Sequence, residues 1–281
     1  MAQDGGYGDW IGRSETRAEI ACAAPLEGLA ALLDHETLPW AEGLVPPLGH
    51  WLYFLPRAPQ SQIDVDGHPK RGGFTPPIPL PRRMWAGGRV DLVAPIRVGA
   101  PMERRTTILS VTEKTGGSGR MVFLTLRQEV FADGVLAVDE EQDIVYREAA
   151  SGPQAPPPAE PDPRRPERER RIEADPAALF RFSALTFNAH RIHYDRDYAR
   201  DVEGYPGLVA HGPYQAMLLM DHFLRGTPRA QVRRFEFRAR RPLFDVAPFD
   251  LCLLRGAGGA DLWTRGPDGA AAMTARVEAL G

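Results

Sequence analysis

Apolar and polar residues alternate along several stretches of the chain. Residues 88–93, 107–111, 120–131 and 135–139 follow the period of a half-buried strand in the first half, and residues 232–238 and 249–254 do so in the second. Ala132-Asp-Gly134 lies between two of these runs and reads as a hairpin turn. The rhythm changes to helical spacing at residues 26–33, and residues 213–224 are apolar on nearly every side. A helix of that kind has to be buried almost all round. A curved antiparallel sheet wrapped around a central helix satisfies this and predicts an α+β architecture.

The pattern also divides the chain. Residues 148–170 carry Pro153, Pro156, Pro157, Pro158, Pro161, Pro163 and Pro166 among Ala, Glu and Arg, with no apolar period. Proline lacks an N–H and restricts the residue before it, so the stretch reads as an extended, exposed connector. The expected organisation is a first repeat over 1–147, a linker over 148–172 and a second repeat over 173–281. An internal echo supports the division. Pro95-Ile-Arg-Val-Gly-Ala-Pro101 aligns with Pro242-Leu-Phe-Asp-Val-Ala-Pro248, each between two strand-like runs.

Composition narrows the class. Apolar residues make up 43% and charged residues 25% of the 281, as in a soluble globular protein. A net charge of −3 gives no basic field for nucleic acid or an anionic membrane. The N-terminus has neither the basic nor the apolar region of a secretory signal, and no apolar run approaches the roughly 20 residues of a membrane span. A cytoplasmic protein is expected. Cys22 and Cys252 lack metal-like spacing and read as small core residues in a reducing compartment.

The chemistry concentrates in one block. Asn188-Ala-His-Arg-Ile-His193-Tyr-Asp195 packs proton-handling and hydrogen-bonding groups into eight residues, and His211-Gly212-Pro213 then opens the apolar helix. A helix start offers free N–H groups to a developing oxyanion, and imidazole moves protons near neutral pH. These are the needs of an enzyme that activates a thioester.

The block resembles the MaoC-type hydratase/dehydratase motif of hot-dog-fold enzymes, in which an Asp-x-Asn-Pro-(Leu/Ile)-His-x-Asp loop precedes a His-Gly at the start of the hot-dog helix. The variant here is similar to the hydroxyacyl-thioester dehydratase type 2 branch, which includes mesaconyl-C4-CoA and itaconyl-CoA hydratases. Trp51-Leu-Tyr-Phe-Leu-Pro56 and Arg82-Arg-Met-Trp-Ala-Gly-Gly88 carry the same likeness into the first half. The resemblance implies a double hot dog, with the hydratase loop in the second repeat and the first, degenerate repeat helping to form the acyl pocket. It implies reversible addition of water to a double bond conjugated with a CoA thioester. No metal or organic cofactor is implied, coenzyme A being part of the substrate. Hot-dog proteins associate through their sheets, so a homodimer is expected.

Asn188 departs from the family, which commonly has a carboxylate there. An amide holds and orients water but does not take its proton. The expected roles are therefore His193 as the proton-transfer group, Asn188 as the water holder and Gly212 N–H as the donor to the thioester oxygen. A neutral residue at 188 also suits an acyl group with a second carboxylate, which Arg191 or one of Arg82 and Arg83 would bind. That fits an itaconyl- or mesaconyl-type substrate and a citramalyl-CoA product. A dehydratase of uncharged acyl chains and a non-catalytic thioester-binding partner are the alternatives.

Other residues have structural readings. His190 is either a loop support or a substrate contact, and His211 either caps its helix or reaches substrate. Tyr194 and Asp195 read as turn anchors, with Asp195 capping the segment that follows. Trp51, Tyr53, Met84 and Trp85 read as core. The spacing of His190, His193, Asp195 and His211 is not that of a zinc hydrolase. Gly116-Gly-Ser-Gly119 is a strand-joining turn, since no Lys-Ser/Thr follows it. The arginine run at 164–171 is a solvated connector. Arg233, Arg234, Arg238, Arg240 and Arg241 form either a solvated face or a contact for CoA phosphates.

Overall fold

The computed structural model describes residues 6–116, 119–149, 152, 160–228 and 230–280. The first half runs β1 (Ser14–Ile20), α1 (Ala24–Leu32), β2 (Arg82–Leu92), β3 (Pro101–Gly116), β4 (Gly119–Ala132) and β5 (Val135–Arg147). The second runs β6 (Arg168–Ile172), α2 (Pro176–Leu185), α3 (Gly212–Gly226), β7 (Gln231–Ala239), β8 (Phe249–Gly256), β9 (Gly259–Arg265) and β10 (Ala271–Leu280). All ten strands join one antiparallel sheet in the order β1-β3-β4-β5-β2-β7-β10-β9-β8-β6. Read outward from its centre, the order is the same on both sides. β2 corresponds to β7, β5 to β10, β4 to β9, β3 to β8 and β1 to β6.

The duplication expected from the echo is therefore real in three dimensions. Its two proline-marked segments occupy equivalent places, joining β2 to β3 and β7 to β8. The β4–β5 hairpin closes through Asp133 and Gly134, both at positive φ (50° and 78°), the two-residue geometry that matches strand twist. The halves meet where β2 pairs with β7 over Gly87–Asp91, and Arg234 on β7 reaches across to Asp91.

α3 packs against β8, β9 and β10, with ten consecutive residues buried from Tyr214 to Phe223. Its polar members are paired. Asp221 accepts from His35, Arg170 and Arg225, and Gln215 bonds the Ala210 carbonyl and the Thr264 hydroxyl. Leu26 and Leu29 of α1, Leu218 of α3, Val90 of β2 and Phe235 of β7 share one core. No helix among the described residues is long and apolar enough to cross a membrane.

Three expectations change. The stretch read as a linker over 148–172 ends in β6, which pairs with β8 from Arg168↔Leu253 to Ile172↔Phe249. Backbone pairing at the sheet edge and the reach of Arg170 to Asp221 outweigh the charge of that segment, so its end is not a solvated connector. The proline run at 153–158 and Gly117-Ser118 of the glycine turn lie outside the described residues. Cys22 is exposed, whereas Cys252 is buried in β8 as expected. The helix α2 was not foreseen; Asp175 caps it, accepting from the Ala178 N–H, and Pro176 starts it.

Phe235 is fully buried and pairs with Val90 across the junction of the halves. Phe235→Ala should cost about 3–5 kcal/mol. Denaturant unfolding followed by circular dichroism should show one transition at lower midpoint; two separated transitions would mean that the halves fold independently.

Candidate active site

α2 ends at Leu185, and Phe187 then turns the chain sharply at φ 49°, delivering Asn188 to the head of the loop. The Asn188 N–H donates to the Ser183 carbonyl at 2.8 Å, and its Oδ1 accepts from the His190 N–H at 3.0 Å. That leaves the Asn188 amide nitrogen to face the cavity as a donor. A short 3-10 turn over Arg191–His193 follows. Asp195 accepts from the Tyr198 N–H and Tyr194 donates its hydroxyl to the Ala189 carbonyl, so both anchor the turn.

His193 is held from behind. Its Nδ1 lies 2.7 Å from the Val209 carbonyl oxygen, and the Val209 N–H returns a bond to the Ile192 carbonyl. A carbonyl only accepts, so Nδ1 carries the proton and Nε2 keeps its lone pair. Burial pushes the His193 pKa down to about 4, which keeps the ring neutral. Behind it stacks His211, 3.6 Å between ring centroids and 19° between planes. His211 Nε2 pairs with the Ser183 hydroxyl, and burial holds this imidazole well below its ordinary pKa.

Gly212 is the first residue of α3 and Pro213 the second. The Gly212 N–H has no intrahelical acceptor at that position. A Cβ on Gly212 would sit 3.0 Å from the Trp85 ring, so glycine lets the helix start and the first-half tryptophan close together.

These groups open on a cavity of about 950 Å³ between the halves. Asn188, His190, His193 and Gly212 line it from the second half. Trp51, Tyr53, Met84 and Trp85 line it from the first, Tyr53 within the core and Trp51 and Trp85 packed against it, so these aromatics serve both core and wall. His211 is not on the wall; it backs His193 and stands at the N-cap position of α3 with its side chain bonded to Ser183 and making no cap bond. The three arginines expected to bind a carboxylate separate. Arg191 is spent on Asp195 (2.8 Å) and the Val65 carbonyl, and lies over the Tyr198 ring. Arg82 is buried in a pair with Glu203 (2.9 Å) and the Tyr205 hydroxyl. Arg83 alone of the three lines the cavity, and no hydrogen bond or ion pair engages it among the described residues. Of the arginines left open above, Arg234 bonds Asp91 and Glu236, whereas Arg240 and Arg241 reach the cavity wall.

A turn of the first half, unmarked in the sequence analysis, grips the loop. The Asp66 carbonyl accepts the Arg191 N–H at 2.9 Å. Gly67 (φ 92°) packs so closely that a Cβ there would fall 1.7 Å from the Ala189 carbonyl oxygen. His68 lies with its ring 4.1 Å from that of His190, its Nδ1 bonded to Asp66 Oδ2 at 3.0 Å. Asp66, His68 and His190 thus bring a carboxylate oxygen and two ring nitrogens within 4.8 Å of one another, His68 being hydrogen-bonded to Asp66 and packed near His190.

Comparison with known proteins follows this geometry. The model of the hydroxyacyl-thioester dehydratase type 2 family matches residues 48–245, which include the gripping turn and the hydratase loop. Mesaconyl-C(4)-CoA hydratase of Chloroflexus aurantiacus is 50% identical over 270 residues, 96% of each chain. The mitochondrial hydroxyacyl-thioester dehydratase type 2 of Schizosaccharomyces pombe is 26% identical over 229 residues, 73% of this chain and 76% of that protein. Among solved structures, HtdX of Mycobacterium tuberculosis superposes with a TM-score of 0.66 at 20% identity, covering 95% of this chain and 100% of that one. A second protein of that organism, described as having a double hot-dog fold, gives 0.57 at 11% identity over 96% of both. The architecture is thus the double hot dog, and the chain belongs to the hydroxyacyl-thioester dehydratase type 2 family.

Proposed function

We propose that the protein hydrates an enoyl-CoA thioester reversibly, with a C5-dicarboxyl thioester of the mesaconyl-C4 or itaconyl type as substrate and citramalyl-CoA as product. One observation carries the reading: a neutral His193 with its Nε2 lone pair on the cavity wall, beside the unused Gly212 N–H at the start of α3. The 50% identity to the Chloroflexus mesaconyl-C4-CoA hydratase supports the same class of substrate.

His193 takes a proton from water through Nε2 as the water oxygen attacks Cβ. Asn188 contributes its amide hydrogens to hold the water oxygen, since its own oxygen is occupied by the His190 N–H. The electron pair of the double bond moves toward the thioester, whose oxygen gains charge. The Gly212 N–H, reinforced by the helix dipole, stabilises it by about 3 kcal/mol. Protonation at Cα completes the addition.

Arg83 supports the dicarboxyl assignment. A guanidinium on a cavity wall with no anionic partner is costly, and a substrate carboxylate supplies the partner in a bidentate pair. The neutral Asn188 adds no repulsion.

Two measurements test this. The wild-type enzyme should favour mesaconyl-C4- or itaconyl-CoA over crotonyl-CoA in kcat/KM, and Arg83→Met should erase most of that preference. Equal or better turnover of crotonyl-CoA by the wild type would remove the dicarboxyl assignment. Because the base form of His193 exists above its folded pKa, the acid limb of activity should lie near pH 4. A loss centred near 6.5 would contradict the assigned base.

A further inference from the structure

The proton that reaches Cα has no donor in the scheme above other than the one His193 has just received. At residue 188 the loop carries an amide, which cannot donate or accept that proton as an acid would. The cavity wall nevertheless holds a carboxylate-backed group. His68 lines the cavity, and Asp66 Oδ2 lies 3.0 Å from its Nδ1. Asp66 is an acceptor only, so Nδ1–H donates to it and Nε2 is the ring's other, exchangeable position.

The placement is built. Asp66 Oδ1 also accepts the His68 N–H at 2.9 Å, which fixes the carboxylate against the ring. The Asp66 carbonyl and Gly67 lock this turn onto the hydratase loop at Arg191 and Ala189. His190 then bridges the two sites, 4.1 Å from His68 and 5.3 Å from His193 between ring centroids.

We propose that His68, oriented by Asp66, is a second catalytic residue that donates the proton to Cα while His193 takes the proton from water. This rests on the hydratase reading above. The water O–H bond breaks onto His193 Nε2 and the oxygen bonds Cβ. The double-bond pair moves to Cα, and the His68 Nε2–H bond breaks to form Cα–H. His193 then gives its proton to solvent and His68 takes one from solvent, which resets the site without net gain or loss.

The environments divide the roles as acid and base pairs require. Burial holds His190 well below its ordinary pKa, and its electrostatic coupling to His68, the other ring histidines and Arg83 lowers it further. His193 is backed by a neutral carbonyl. His68 is lowered by burial and by Arg83 and Arg71, but the Asp66 hydrogen bond and charge oppose this. Of the three rings, His68 is the one whose lowering is opposed by a carboxylate. The groups facing His68 are Asp66 and Arg71 from its own segment, Arg83 from β2 and His190 from the hydratase loop.

The acid form of His68 exists below its folded pKa, so activity is lost as pH rises through that value. Asp66→Asn removes the charge that raises it, and the alkaline limb of kcat should move down by on the order of one pH unit. His68→Gln should lower kcat by roughly 100-fold or more with KM within a few-fold, and abolish that limb. In D2O, exchange of the Cα proton of the hydrated product should slow in parallel. His68→Gln with kcat within about 3-fold of wild type and an unchanged alkaline limb would overturn the proposal. If His68→Gln does not fold by thermal melt, the Asp66→Asn limb decides, and a limb that stays or moves up overturns it. A wild-type enzyme inactive on every enoyl-CoA would instead sink the hydratase reading, before any variant is made.

Discussion

The close backbone approach of β2 and β7 is the constraint on which the site depends. A Cβ on Gly87 would lie 2.6 Å from the Phe237 carbonyl oxygen, and one on Gly88 would lie 2.8 Å from the Phe237 ring. Two consecutive glycines therefore let the repeats join as one sheet. A bulge between Trp85 and Gly87 interrupts the β2–β5 register immediately before them. Trp85 thereby packs 4.4 Å from Phe237 and 5.1 Å from Trp51, against the glycine that begins α3. Gly212, the proposed oxyanion donor, and the apolar wall facing it are set by the same junction.

A second cross-repeat contact fixes the hydratase loop. The turn at Asp66–His68 supplies a backbone acceptor, a glycine that tolerates contact with Ala189, and a histidine beside His190. The first repeat thus supplies more than cavity wall: it holds the loop of residues 188–195 in place. The buried histidines His190, His193 and His211 are kept neutral mainly by desolvation, which avoids stacking several charges in one apolar site.

What the sequence made legible was local. The alternating runs became β2–β5, β7 and β8 because strand burial has a period of two, and the apolar block became α3. The Asn188–Asp195 loop and the His211-Gly212 start were recognisable because their spacing is short. Arg191 was misassigned to a substrate carboxylate, although Asp195 four residues on takes it. Other features depend on partners more than 100 residues away. Arg82 finds Glu203, Trp85 meets Gly212, and Asp66 accepts from Arg191. No periodicity records such pairs. β6 was obscured because its pairing to β8 uses backbone groups, while its side chains read as a charged connector.

The central claim is that His193, with the amide of Asn188 as its partner in the loop, moves the proton of the attacking water. The direct measurement is the rate of loss of enoyl-thioester absorbance at neutral pH with wild type and His193→Gln, on protein shown by thermal melt to be folded. The account predicts a fall of roughly 100- to 10,000-fold. Near-wild-type turnover by the folded variant would contradict it.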